Sequence, residues 1–171
     1  DKLDFALIMD QPIGADVSYP ASAAPYPFAG STATVTSAAV TGLLRYKLPS
    51  NFSVYGGVKA ESVKGEVGIP LFGGYTMTTD SDMGVGYVLG AAWEKPEIAA
   101  RVAITYTSEI THSLDSTEFG AIPGTFDTTV PQSVNIDFQT GIAANTLLFG
   151  SVRWVDWSVF DITPPTFTGA V

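Results

Sequence analysis

Between residues 82 and 93 the chain alternates with a period of two. Met83, Val85, Tyr87, Leu89, Ala91 and Trp93 are all apolar, while Asp82, Gly84, Gly86, Val88, Gly90 and Ala92 are mostly small or polar. Only an extended strand places every second residue on one face, so this stretch reads as a strand with a single greasy side. The next segment does the same with reversed parity. Ile98, Ala100, Val102, Ile104 and Tyr106 face one way; Glu97, Ala99, Arg101, Ala103, Thr105 and Thr107 face the other.

Applied throughout, the pattern predicts seven strands, at about 2–12, 33–47, 51–64, 81–93, 97–111, 131–143 and 146–160. No stretch carries a 3.6-residue apolar stripe with helix caps. Three connections are tight: Leu48-Pro49-Ser50, Glu94-Lys95-Pro96 and Ala144-Asn145. Three are long, at 13–32, 65–80 and 112–130, and are rich in Gly, Pro, Ser, Thr and Asp. Long and short connections alternate strictly, so all short turns fall at one end of the sheet. Bacterial outer-membrane barrels are built this way.

Charge placement sharpens that reading. A charge facing lipid near the bilayer midplane costs roughly 2–4 kcal/mol in such a barrel. With Val40, Leu44, Phe52, Val54, Val58, Ile136, Phe138, Leu148, Val152 and Trp154 outward, the residues Asp4, Arg45, Lys59, Glu61, Arg101, Asp137 and Arg153 all point inward. Lys64 and Asp156 break parity, but both lie toward the long-loop end of their strands, where the cost falls to about 0–1 kcal/mol. Tyr46, Phe52 and Trp93 sit near the short turns, and Trp154, Trp157 and Phe160 near the other end, as interfacial girdles require. A soluble β-sandwich would also segregate charge. It accounts less well for the loop alternation and for aromatics at both strand ends.

Composition narrows the choices further. Apolar residues make up 46% and charged residues 15%, yet no apolar run reaches the 18 or more residues of a membrane-spanning helix. A net charge of −9 with eight scattered basic residues excludes nucleic acid as a partner. Cysteine is absent. The opening Asp1-Lys2-Leu3-Asp4 has no signal-peptide core. An odd strand count puts the chain ends on opposite sides of the membrane, and single-chain bacterial barrels have even counts. The expectation is therefore one domain: residues 1–171 form a seven-strand portion of a larger antiparallel up-and-down β-barrel.

From Pro131 to Phe160 the sequence reads PQSVNIDFQTGIAANTLLFGSVRWVDWSVF. A Pro opens a strand after a long loop; a tight turn follows, then a strand closing on Arg153-Trp154-Val155-Asp156-Trp157-Ser158. This resembles the long-chain fatty-acid transporter family of outer-membrane proteins, the FadL type, which includes aromatic-hydrocarbon uptake channels. Asp10-Gln11-Pro12-Ile13-Gly14 through Tyr19-Pro20 is similar to the family's first long loop. The resemblance implies a fourteen-stranded barrel with an N-terminal plug in the bacterial outer membrane. It implies passive uptake of hydrophobic molecules, released sideways into the membrane. The plug, its Asn-Pro-Ala signature and the closing C-terminal strands are not found in this sequence.

No enzyme constellation is visible, and no metal or cofactor is expected. His112 has no second His or Cys to complete a metal site and reads as a solvated loop residue. Asp80, Asp82 and Asp115 suggest calcium at a loop rim only weakly. Two features suit a greasy ligand, either a fatty acid or an aromatic hydrocarbon. Inside, Tyr55, Phe149 and Trp157 lie beside Lys59, Arg101 and Arg153, which could hold an acyl chain and pair its carboxylate. The competing reading is a structural ladder pairing the cations with Glu61, Glu97 and Asp137. At the rim, Leu71, Phe72, Tyr75 and Met77 make the 65–80 loop unusually apolar, either as a landing surface or as a loop packed on itself. The functions in contention are an uptake channel, a structural or adhesive barrel with no transported ligand, and a soluble ligand-binding sandwich.

Overall fold

The computed structural model describes residues 2–23, 25–71 and 73–166. They form one antiparallel sheet of eleven strands. The strands are β1 (Leu3–Asp10), β2 (Gly14–Ser18), β3 (Thr32–Lys47), β4 (Phe52–Ile69), β5 (Tyr75–Thr79) and β6 (Asp82–Lys95). They continue with β7 (Ala100–Thr107), β8 (Ile110–Glu118), β9 (Ile122–Val130), β10 (Ser133–Ala143) and β11 (Thr146–Val155). The wall runs β1/β2–β3–β4–β6–β7–β10–β11, a meander in which each strand pairs with the next wall strand. These are the seven spanning strands that the alternation predicts.

The short turns follow from local chemistry. Ser50 and Asn51 adopt positive φ of 65° and 67°, and Leu48 N donates to Phe52 O at 2.8 Å. Two consecutive left-handed residues match the right-handed twist of the flanking strands. Asn145, at φ 61°, supplies a single left-handed residue to the β10–β11 hairpin.

The outer face is apolar and uncovered. Met83, Leu89, Ile104 and Ile136 are 72%, 53%, 49% and 42% exposed, and no second layer lies on them among the described residues. On the inner face Ala39, Thr41, Ser53, Lys59, Glu61 and Ala103 are buried. A sandwich would bury the first set and expose the second, so the soluble alternative is contradicted. Tyr87 and Tyr106, with rings 5.9 Å apart, stand outward near the loop ends of their strands, as Phe52 and Trp93 stand paired at the turn end.

The long connections differ from expectation. A transmembrane strand needs only about 9–11 residues, so β3 with 16 and β4 with 18 rise past the bilayer at the loop end. There a branch leaves the wall: β4 pairs with β5, β5 with β8, and β8 with β9. Segments 65–80 and 112–130 are thus largely strand, because their Thr- and Ser-rich composition hides a true alternation. The predicted strand 97–111 is interrupted at Ser108-Glu109, and the predicted strand 146–160 ends at Val155, before a single turn at Trp157–Val159.

The first predicted strand breaks at Gln11-Pro12-Ile13 and resumes as β2. Pro12 cannot donate to a ladder. Ser37 fills the gap: Ile13 N donates to its Oγ at 3.0 Å, and that hydroxyl donates to Ile13 O at 2.5 Å.

The apolar core sits in this loop-end branch, not between sheets. Tyr75, Met77, Leu114 and Phe126 form one buried cluster against Val67 and Ile69. Val63, Ile110 and Val130 form another against Ile13 and Val35. The β4 members, Val63, Val67 and Ile69, share the inward parity of Lys59 and Glu61. The β8–β9 hairpin therefore folds over the inner side of the wall at its loop end.

Candidate ligand passage

The inner face of the wall curves around a concavity of about 690 Å³. Ile8, Leu43, Val88 and Ala103 give it apolar surface; Thr105, Thr107, Ser133 and Asn135 give it polar surface. Of the six lumen candidates, Tyr55, Lys59, Arg101 and Arg153 line it. Phe149 lies lower, beside Arg101, Asp137 and Gln139, and is 74% exposed. Trp157 lies beyond the end of β11 and packs edge-on against Phe160, with centroids 5.7 Å apart. The structure does not bring Trp157 to the concavity, because the strand that would have carried it inward stops at Val155.

Tyr55 is committed to the wall. Its hydroxyl lies 2.6 Å from Thr105 Oγ1 and donates to Ile104 O at 3.2 Å. A Cβ on Gly90 would fall 2.2 Å from the Tyr55 ring, so this glycine provides the slot in which the ring lies.

The cations are not equivalent. At the turn end, ionic contacts link side chains of four strands, β1, β3, β6 and β7. Lys47 pairs with Asp4 at 3.0 Å, Arg45 with Asp4 at 2.7 Å, Arg45 with Glu94 at 3.2 Å, and Arg101 with Glu94 at 3.3 Å. Lys59 pairs with Glu61, and both are nearly fully buried. Of the three acids expected as partners, Glu61 is one. Glu97 and Asp137 are not: the arginines of the turn end meet Asp4 and Glu94 instead, which register brings opposite them. Arg153 donates to Ser133 Oγ at 3.4 Å and has no carboxylate within ion-pair distance among the described residues.

At the rim, the apolar loop is not an open landing surface. Tyr75 and Met77 are 4% and 3% exposed and belong to the buried cluster under the hairpin. Leu71 is exposed at the tip, and Phe72 lies outside the described residues. Tyr75 donates its hydroxyl to Glu118 Oε2 at 2.8 Å, and Thr166 N donates to Glu118 Oε1 at 3.2 Å. Burial pushes the Glu118 carboxyl up, but the hydrogen bonds from Thr166 and Tyr75 outweigh it, so its pKa lies below the ordinary value. Burial first, and the facing carboxylate second, push the Tyr75 phenol up.

His112 also differs from expectation. It is fully buried in β8, not solvated, with Nδ1 3.2 Å from Asp82 Oδ2. The signal lies in Ile110, His112 and Leu114 on one parity. The polar residues between them and the loop-like composition conceal it.

An antiparallel wall with an apolar outer face, an ionic inner face and all short turns at one end defines an outer-membrane β-barrel. Residues 1–169 match the family described as outer membrane protein transport protein (OMPP1/FadL/TodX), and the chain belongs to that family. Its members are bacterial outer-membrane proteins, and that membrane is this chain's location.

Two solved structures resemble the fold. A Pseudomonas aeruginosa FadL homologue superposes with a TM-score of 0.73 at 16% identity, over 92% of this chain and 46% of that one. The Ralstonia pickettii toluene transporter TbuX gives 0.59 at 13% identity, over 92% and 52%. The chain thus spans about half the length of the structures it matches. No curated protein sequence matches it.

Proposed function

We propose that the protein of which this chain forms a barrel wall is a passive channel for hydrophobic compounds crossing the outer membrane. Long-chain fatty acids or aromatic hydrocarbons are the substrate class. The observation that carries the reading is the concavity's lining, in which apolar and ionic positions interleave while most of the charge is cancelled internally. Pairing of Arg45, Lys59 and Arg101 leaves fewer bare ions in the path of an apolar molecule. Arg153, beside Asn135 and Ser133, is then the lining cation that meets a carboxylate head group, with Tyr55 and Phe149 as ring surfaces along the path. Leu71 contributes at the outer tip. Membership of a transport family supports the channel, and the Ralstonia relative, a toluene transporter, supports the aromatic alternative among cargoes.

The test is uptake by cells expressing the protein, measured with radiolabelled oleate and with toluene against an empty-vector control. Faster entry of either one supports the channel. Entry of both at the control rate, with the barrel correctly inserted, contradicts it and favours a structural role.

A further inference from the structure

We propose that the β8–β9 hairpin is a hinged lid that closes the loop-end mouth of the passage and swings outward to open it. The inference rests on the reading of the concavity as a passage. Both ends of the hairpin leave the wall at one place. The β6–β7 ladder ends at Val88 opposite Thr107, and the β7–β10 ladder ends at Ser133, also opposite Thr107. Hairpin pairing starts at Ile110 opposite Val130. Two short links outside the ladders, Ser108-Glu109 and Pro131-Gln132, therefore lie side by side and join the hairpin to the wall. Ser108 fixes the pivot: its N donates to Tyr87 O at 3.0 Å, and its Oγ accepts from Tyr87 N at 2.9 Å.

The wall is cut to receive the lid. A Cβ on Gly84 would lie 2.3 Å from Ile110 Cγ2 and 3.0 Å from His112 Cε1. One on Gly86 would lie 2.6 Å from Ser108 Oγ and 2.8 Å from Ile110 Cγ1. Away from the hinge, β8 is held laterally by three register pairs with β5, from Met77–Glu118 to Thr79–Ser116. The segment after β11 straps the far side, where Thr128 Oγ1 donates to Asp161 O at 2.8 Å and Thr166 N reaches Glu118.

The buried face of the hairpin mixes polar groups with its apolar ones: Ser116 and Thr128 are buried beside Ile110, Leu114, Phe126 and Val130. His112 and Glu118 are fully buried on the same face as Ile110 and Leu114, and His112 Nε2 has no hydrogen-bond partner among the described residues. An unsatisfied buried polar atom weakens the closed state and regains water when the lid opens.

The experiment uses the full-length protein in cells, with a cysteine pair Thr78→Cys/Thr117→Cys across β5 and β8, which are register partners. This chain contributes no native cysteine. Leu114→Cys, buried at 4%, is added as a reporter for a membrane-impermeant maleimide. The expected result is that the reporter labels when the pair is reduced and about tenfold more slowly when it is oxidised. Uptake should fall on oxidation and recover with dithiothreitol. Labelling that ignores the redox state of the pair overturns the lid. So does a reporter that never labels while uptake proceeds at the parent rate. If neither oleate nor toluene enters through the parent protein, the channel reading fails instead, and labelling still reports whether the hairpin opens.

Discussion

Gly84→Val isolates the seat of the hairpin from the wall that carries it. The added Cβ falls 2.3 Å from Ile110 Cγ2 and 3.0 Å from His112 Cε1, both well inside ordinary contact. Overpacking of this kind costs about 1–3 kcal/mol when neighbours cannot move. The wall itself loses nothing, because Gly84 pairs with Glu61 through backbone alone, and replacing a strand glycine with Ala recovers about 0.5–1 kcal/mol. The penalty is thus borne by docking of the hairpin, and 1–3 kcal/mol corresponds to a shift of about 5–150-fold in the docked population. Hydrogen–deuterium exchange on the detergent-solubilised protein reads this directly. Amides of residues 110–130 should exchange faster by that factor, while those of 52–60 and 88–94 keep parent protection. Val85→Ile, on the outer face one residue on, should change neither. Parent-like protection of the hairpin in Gly84→Val, or loss of protection spread evenly over the wall, would refute the argument.

Glu94→Gln strips the carboxylate shared by Arg45 and Arg101; at these partly exposed sites each pair is worth about 0.2–1 kcal/mol, so a small drop in unfolding temperature is expected, alongside a larger rise in anion permeability through the lumen. Glu118 has a folded pKa below its ordinary value of 4.5, so the unfolded chain binds its proton first. Its contribution is therefore full above that ordinary value and is lost as pH falls through the lower folded value. Exchange protection of 161–166 should decline over that acidic window in the parent and lose this dependence in Glu118→Gln. Arg153→Gln should slow oleate uptake by about ten- to a hundredfold, as loss of a charge-assisted contact of about 1.5–3 kcal/mol implies, and leave toluene uptake unchanged; equal effects on both would place Arg153 in a structural role.

The spanning wall was legible because lipid imposes a strict rule. Where Met83, Leu89, Ile104 and Ile136 must be apolar and Lys59 and Arg101 must not share their face, a period of two is written without exceptions. Above the bilayer that rule lapses. Ser113, Asp115 and Thr117 read as loop, although Leu114 and the buried His112 carry a strand beneath them. The candidate site was legible in part. Parity alone placed Tyr55, Lys59, Arg101 and Arg153 on the inner face. It could not decide which acid meets which cation, since Arg45 and Arg101 meet at Glu94 only through register across β3, β4, β6 and β7. Nor could it foresee that β11 stops at Val155 and leaves Trp157 outside the concavity.

A nitroxide scan along β6 in lipid vesicles tests the orientation on which everything else depends. Labels at 83, 85, 87, 89 and 91 should collide freely with dissolved oxygen and be shielded from a water-soluble nickel chelate, while labels at 84, 86, 88, 90 and 92 are shielded from oxygen. A trace without that two-residue period, or one with nickel reaching 85 and 89, would mean that the greasy face does not lie against acyl chains.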